Sequence, residues 1–212
     1  MLYEQPLNLL DEVARYYSKK IQEYGESPLG VDWNSEEGQV LRFEQLLKVL
    51  QPGTESGFSL IDLGCGYGAL YSFIQDSWSE FRYYGYDVSF EMIAAAKRRY
   101  QNVYNAQFFS TSLPHHLADY TVASGIFNVR LGRSDAEWLF YVKQTLDVMH
   151  ASSAKGFAFN CLTSYSDPPK MRDYLYYADP CQIFNLCKTN YSDNIALLHD
   201  YGLYEFTVLI KK

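Results

Sequence analysis

The stretch Ser59-Leu60-Ile61-Asp62-Leu63-Gly64-Cys65-Gly66-Tyr67-Gly68 decides the fold. An apolar run of strand length ends in an acid and passes into a turn with a glycine at every second position. Because glycine lacks a Cβ atom, this turn bends sharply and leaves its backbone N–H groups open to a ligand. Residues 69–74 read as a helix, so the positive end of that helix points at the same place.

A second strand ends in an acid about twenty residues further on, in the stretch Tyr83-Tyr84-Gly85-Tyr86-Asp87-Val88. Asp87 is placed to accept hydrogen bonds from the two hydroxyls of a ribose. Two such strands predict a nucleotide-type cofactor at the carboxyl ends of adjacent parallel strands.

The identity of that cofactor depends on Asp62. The pattern Gly64-x-Gly66-x-x-Ala69 also satisfies the dinucleotide fingerprint, so the glycines alone do not exclude NAD. A carboxylate directly beneath the turn would repel a pyrophosphate, but it suits a ligand with an ammonium group. An NAD-dependent oxidoreductase is therefore the less favoured alternative.

Both motifs resemble those of the class I S-adenosylmethionine-dependent methyltransferases. The first motif of that family, acid-x-Gly-x-Gly-x-Gly, stands here as residues 62–68, and the second, Gly-x-Asp-hydrophobic-Ser, stands as residues 85–89. The resemblance covers residues 30–210 and implies S-adenosylmethionine as the cofactor. It also implies an α/β fold, with a Rossmann-like seven-stranded, mostly parallel sheet whose last strand is antiparallel.

The rest of the chain agrees with one domain over residues 1–212, comprising an N-terminal helical lid (1–50) and a Rossmann-like core (57–212). Helices are predicted at 8–24, 36–50, 68–76, 90–100 and 135–150 from their apolar periodicity. Strands are predicted at 58–62, 82–87, 106–109, 120–124, 156–162, 194–199 and 204–210. Residues 200–203 read as a tight hairpin, and helices are expected on both faces of the sheet.

Composition excludes several classes of partner. The 212 residues carry a net charge of −7, and a nucleic-acid substrate normally needs clustered lysine and arginine. No apolar run approaches the roughly 18 residues of a membrane span, and residues 1–6 lack the features of a signal peptide. The four cysteines are scattered, without metal-ligand spacing, so we expect reduced thiols, no metal and a cytoplasmic location. The oligomeric state is not predicted.

The cofactor residues follow mainly from the resemblance. Arg42 is a candidate partner of the methionine carboxylate, with Gln39 as an alternative, and Trp33 offers an aromatic face to the sulfonium. Tyr16 or Tyr17 is a further candidate contact in the lid. The family often has an acid after the third strand, and this chain has Thr111 and Ser112 there instead. The complete set of predicted cofactor residues is Asp62, Gly64, Cys65, Gly66, Asp87, Val88, Met92, Thr111, Ser112, Ser124, Arg42 and Trp33.

The acceptor residues are expected in the loops after the fourth and fifth strands. Arg130 would anchor an anionic acceptor, and His199, at the end of the sixth strand, is the candidate general base. The predicted substrate-binding residues are Phe127, Asn128, Arg130, Tyr165, Tyr176 and Tyr177.

The sequence thus predicts methyl transfer from S-adenosylmethionine to a small-molecule acceptor, at oxygen. The abundant tyrosines suit a pocket with aromatic walls and polar tips. Two alternatives stay open: a methyltransferase with a peptide or protein acceptor, and a non-catalytic module that binds adenosylmethionine.

Overall fold

The computed structural model describes residues 7–54 and 57–212, and the side chains of Leu7 and Asn8 are not described. Residues 1–6, which begin the predicted lid and were predicted not to be a signal peptide, lie outside the described residues. Helices span Leu7–Tyr24 (α1), Glu36–Leu47 (α2), Ala69–Gln75 (α3), Phe90–Arg99 (α4), Asp135–Ser152 (α5) and Pro180–Asn190 (α6). Strands span Phe58–Leu63 (β1), Phe81–Asp87 (β2), Ala106–Ser110 (β3), Ala118–Ala123 (β4), Ser153–Leu162 (β5), Asn194–Leu198 (β6) and Glu205–Lys211 (β7).

Seven strands form one sheet in the order β3-β2-β1-β4-β5-β7-β6. Strands β1 to β5 pair in parallel, whereas β7 is antiparallel to both β5 and β6. The predicted fold, including the antiparallel last strand, is confirmed. The order reverses beside β1, and the carboxyl ends of β1, β2 and β4 therefore border the crevice in which ligands of open α/β sheets bind.

Apolar layers cover both faces of the sheet, because successive strand side chains point to opposite sides. Ile61 and Leu63 pack on the face covered by α1, α5 and α6, with Trp138 of α5 fully buried there. Leu60 packs on the other face, against α2, α3 and α4. Among the described residues, no helix is both long and apolar enough to cross a membrane.

Local signals explain where the helices begin. Ser134 and Glu137 form a capping box, in which each side chain accepts a hydrogen bond from the backbone N–H of the other, and this places the start of α5 as predicted. Helix α6 was not predicted. Its start is nevertheless encoded, because the Asp179 side chain accepts hydrogen bonds from the N–H groups of residues 181 and 182, and Pro180 occupies the first turn.

Candidate active site

The glycine turn after β1 is tied to β2 by its backbone. The N–H groups of Gly64 and Cys65 both donate to the Tyr86 carbonyl, at 2.7 and 3.0 Å. Gly64 and Gly66 have φ angles of +80° and +54°, which residues with a side chain rarely adopt. A Cβ atom at Gly64 would also lie 2.1 Å from Cγ2 of Ile126. Glycine is therefore required at position 64 for conformation and for space.

Asp87 holds the turn and the next helix together. Its Oδ2 accepts a hydrogen bond from the Gly66 N–H at 2.9 Å, and its Oδ1 accepts one from the Ser89 N–H at 2.8 Å. Burial raises the pKa of this carboxyl, and the backbone N–H donors oppose the rise. Since each carboxylate oxygen can accept a second hydrogen bond, Asp87 retains acceptor capacity towards a ligand.

Asp62 lies beneath the turn and is almost completely buried. The Tyr83 hydroxyl donates a 2.5 Å hydrogen bond to its Oδ2. Burial raises the pKa of Asp62 to about 7, although the Tyr83 hydrogen bond lowers it and the charge of Asp87 raises it further. A cation bound above Asp62 would favour its ionised form, because opposite charges attract strongly away from water.

These groups surround one cavity at the carboxyl ends of β1, β2 and β4. Tyr17 and Gln39 close it from α1 and α2, and Thr145 lies in its wall on α5. The lining is mainly apolar and aromatic away from the two acids. The residues that line it are Leu10, Val13, Tyr17, Val31, Trp33, Gln39, Phe43, Asp62, Leu63, Gly64, Cys65, Gly66, Tyr67, Ala69, Leu70, Tyr86, Asp87, Val88, Met92, Thr111, Ser112, Ser124, Gly125, Ile126, Tyr141, Thr145 and Val148.

The structure brings the predicted cofactor residues together at this cavity, with the exception of Arg42. Ser124 has a buried hydroxyl oxygen that lacks a hydrogen-bond partner within the described residues. A buried polar group without a partner is costly, so this hydroxyl is available to a ligand. Of the alternative lid contacts, Gln39 and Tyr17 line the cavity, whereas Tyr16 donates its hydroxyl hydrogen to Asp32.

Arg42 is not free to bind a cofactor carboxylate. Its Nε and one terminal nitrogen donate to the two carboxylate oxygens of Glu205, at 2.8 and 2.6 Å. The other terminal nitrogen donates to the Gly38 carbonyl at 2.7 Å. Because Glu205 is buried, its carboxylate needs this counter-charge, which explains why the guanidinium is held inside the protein.

The residues predicted for the acceptor mostly hold loops together. Phe127 is buried, and its carbonyl accepts a 2.7 Å hydrogen bond from the Trp138 indole. Asn128 is also buried, and its Oδ1 accepts a hydrogen bond from the Leu162 N–H at 3.2 Å. Tyr176 packs in the same core cluster, and its N–H donates to the Asn128 carbonyl at 2.8 Å. None of these residues lines the cavity.

The remaining acceptor candidates also lie away from the cavity wall. Arg130 donates to the carbonyls of Asp173 and Leu175 and forms an ion pair with Asp135. Tyr165 is 69% exposed. The Tyr177 hydroxyl accepts a hydrogen bond from the Arg172 N–H at 3.0 Å. The hydrogen-bonding groups of the loops after β4 and β5 therefore find their partners largely in one another. The sequence spacing did not reveal this pairing.

His199 is exposed at the end of β6 and does not line the cavity. It was expected there because parallel strands end on one edge of the sheet. In the observed order, however, β6 is four strands away from β1, a separation of about 19 Å at the usual strand spacing. The sheet order thus places His199 away from the cavity.

Several lining residues were not predicted, although the sequence carries a signal for them. Leu10 and Val13 recur at helical spacing on α1, together with the predicted Tyr17, and Tyr141, Thr145 and Val148 do so on α5. Such stripes are most often core residues. Their place beside the glycine turn follows only from the tertiary packing of α1 and α5.

Comparisons with known proteins agree with this geometry. Residues 60–145 match a family model described as a methyltransferase domain. The chain is 56% identical over 155 residues to a Mycobacterium tuberculosis protein named "Putative methyltransferase Rv1506c", a match that covers 73% of this chain and 93% of the relative.

Solved methyltransferase structures share the fold at low sequence identity. The chain is similar to magnesium protoporphyrin IX methyltransferase of Synechocystis PCC 6803 with bound SAM, with a TM-score of 0.67 and 13% identity, covering 99% of this chain and 100% of that one. It is also similar to the N-methyltransferase NodS of Bradyrhizobium japonicum WM9 in complex with S-adenosylhomocysteine, with a TM-score of 0.64 and 13% identity, covering 94% and 97%.

Proposed function

Because this chain belongs to the class I S-adenosylmethionine-dependent methyltransferases, we propose that its cavity binds S-adenosylmethionine and directs the methyl group to oxygen of a small, largely apolar acceptor. The observation that carries the proposal is the enclosure of the glycine turn, Asp62 and Asp87 by the apolar face of α1.

The residues of the cavity fit the parts of this cofactor. Asp87, at the end of β2, would accept hydrogen bonds from the ribose hydroxyls. Asp62 would balance the positive charge of the ammonium group, and the unpartnered hydroxyl of Ser124 would bind a polar atom nearby. Val88 and Met92 line the cavity beside Asp87 and would flank the adenine ring.

The walls of the cavity favour a small acceptor. Leu10 and Val13 of α1 cover the cavity, whereas a peptide acceptor would need an open groove. Among the described residues, no lysine or arginine lines it. A nucleic acid would need such cations to neutralise its phosphates, so the lining argues against a polyanionic acceptor.

The chemistry of the lining suggests which oxygen accepts the methyl group. When bound, the cofactor would supply an electrophilic methyl carbon, which bonds to the acceptor oxygen as its bond to the sulfonium sulfur breaks and S-adenosylhomocysteine leaves. The described lining contains no histidine, and its two carboxylates, Asp62 and Asp87, are assigned to the cofactor, so neither an imidazole nor a free carboxylate is left as a base for an ordinary alcohol. A carboxylate or an acidic phenol needs no base. Burial raises the pKa of Tyr141 to about 12, so its hydroxyl stays protonated and can donate to such an oxygen.

An acceptor panel tests this proposal. The protein would be incubated with S-adenosylmethionine and with hydrophobic carboxylic acids, phenols, amines or peptides, and the release of S-adenosylhomocysteine would be measured. We expect turnover with members of the first two classes. Turnover confined to amines would overturn the choice of oxygen, and turnover confined to peptides would overturn the small-molecule proposal. Binding of cofactor without turnover in any class would favour the non-catalytic module.

A further inference from the structure

A buried polar network reaches from the last strand of the sheet to the wall of the cavity. At its centre Glu205, which is 1% exposed, receives two hydrogen bonds from Arg42 and one from the Asn160 amide, at 2.9 Å. This buried carboxylate is paired with the Arg42 guanidinium of α2, and it accepts a further hydrogen bond from Asn160 of β5. A buried ion pair is by itself a weak source of stability, so its position needs another explanation.

Both arms of the network end at Gly125, which lines the cavity between Ser124 and Ile126. Along one arm, the Asn160 Oδ1 accepts a 2.7 Å hydrogen bond from the Gly125 N–H. Along the other, the Arg42 guanidinium lies 3.9 Å from the centre of the Trp33 ring. A Cβ atom at Gly125 would lie only 2.5 Å from Cζ2 of Trp33, so the indole is packed directly on this glycine.

We infer that Glu205 is a positioning residue, which acts through Arg42 and Asn160 to fix Trp33 and Gly125 in the wall of the cavity. Trp33 lies in the segment between α1 and α2, where a 2.9 Å hydrogen bond from its N–H to the Pro28 carbonyl fixes the backbone, and packing around the side chain must orient the indole. The stacked guanidinium does so, because cations favour the face of an indole. The guanidinium is in turn held by two parallel hydrogen bonds to Glu205, which restrict its orientation.

The inference rests on the proposed function, because it concerns the same cavity. It extends that function to residues that lie outside the cofactor motifs. In this account Arg42 holds Trp33 in the wall of the cavity and does not contact the cofactor directly. The inference also assigns a role to Asn160 and Glu205, which are separated by 45 residues in the chain and belong to no recognised motif.

The variant Glu205→Gln tests the inference. Glutamine keeps the shape and an acceptor for Asn160, but it leaves Arg42 without a counter-charge in a position where only 12% of its side chain is exposed. We expect Arg42 to leave the indole for water. The affinity for S-adenosylhomocysteine should then fall by about tenfold or more, as is typical when outer residues that orient a site are removed.

The matched control is Asp119→Asn, at the amino ends of β1 and β4. Asp119 also accepts two hydrogen bonds from one residue, the N–H and the hydroxyl of Ser59, and also pairs with a cation, Lys155. It belongs to no part of the cavity. We expect this variant to lose thermal stability while its affinity for S-adenosylhomocysteine stays within about twofold, because distant sites act independently.

A measurement without ligand keeps the inference separate from the proposed function. Acrylamide quenching of Trp33 fluorescence, obtained as the difference between each protein and its Trp33→Phe counterpart, should increase in Glu205→Gln and stay constant in Asp119→Asn. If the unaltered protein does not bind S-adenosylhomocysteine, the proposed function fails, and the quenching still decides the positioning role.

The milder variant Arg42→Lys covers the case in which Glu205→Gln does not fold. Lysine keeps the charge but cannot form the two parallel bonds or stack in the same way, so intermediate losses of affinity and intermediate quenching are expected. Unchanged quenching and unchanged affinity in a folded Glu205→Gln or Arg42→Lys protein would overturn the positioning role.

Discussion

The turn after β1 and the loops after β4 and β5 lie along the same edge of the sheet, but they use their polar groups in opposite ways. Beside the turn, Asp62 in β1 and Asp87 at the end of β2 face the cavity, and each retains capacity for a ligand. In the loops, Asn128 accepts a hydrogen bond from the Leu162 N–H at the end of β5, and Arg130 donates one to the Leu175 carbonyl in the loop after β5. The first region is built to bind a cofactor, and the second, beyond the cavity-lining residues 124–126, is built to hold the chain in place.

The largest effect should come from adding a methyl group to the turn. Gly64→Ala combines a left-handed backbone with a collision against Ile126, and we expect a loss of about 2–5 kcal/mol in the free energy of unfolding, measured with urea. Gly202→Ala is the matched control. Its φ is +75° and no atom lies within 4 Å of the added Cβ, so only the backbone cost of about 1–2 kcal/mol should remain. Equal losses in both variants would show that the turn is not packed as described.

The next effect concerns Asp87. Replacement by alanine removes the proposed ribose acceptor and the hydrogen bonds to Gly66 and Ser89, and the affinity for S-adenosylmethionine should fall about ten- to a hundredfold. Calorimetric titration measures it, with Arg130→Ala as the control from the loops. Arg130→Ala should lower stability and leave affinity unchanged. If Arg130→Ala weakened binding as much as Asp87→Ala, the contrast between the two regions would be lost.

A smaller effect should appear in the pH dependence of binding. In the free protein the pKa of Asp62 is raised to about 7, and an ammonium group binds its ionised form. Below pH 7 the carboxyl carries a proton that must leave on binding, so the affinity should fall by up to about tenfold per pH unit as the pH decreases, and level off above 7. Calorimetry between pH 5.5 and 8.5 measures this slope. Asp62→Asn should bind weakly without the slope, and a slope that persists in this variant would assign it to another group.

The smallest effect is expected at His199. Because this side chain is exposed and far along the sheet from the cavity, His199→Ala should change the free energy of unfolding by less than about 0.5 kcal/mol and leave cofactor affinity and turnover unaltered. Thermal unfolding and the acceptor assay described above check this. A large loss of turnover at normal affinity would restore His199 as the general base.

The parts of the fold that could be predicted are those encoded by short stretches of chain. The turn at residues 64–68 and the capping box that begins α5 each involve residues a few positions apart. Helix α6 was missed because Tyr176 and Tyr177, just before it, were assigned to an acceptor-binding loop after the fifth strand, although Asp179 and Pro180 mark its start.

The parts of the site that could not be predicted depend on contacts between distant residues. Arg42 and Glu205 are 163 residues apart, and a lone arginine before the first motif gives no sign that a buried glutamate will bind it. The acceptor residues failed to reach the cavity for a similar reason, because their hydrogen bonds join the loop after β4 to the loop after β5. Position after a strand is therefore a guide only for the first residues beyond a strand that borders the cavity, such as Ser124 after β4.

The most direct test of the central claim is a calorimetric titration of the protein with S-adenosylmethionine, S-adenosylhomocysteine and NAD in parallel. Micromolar binding of the first two ligands, with none of NAD, is the predicted result, since Asp62 accommodates an ammonium group and repels a pyrophosphate. Binding of NAD alone would contradict the role given to Asp62 and the proposed function with it.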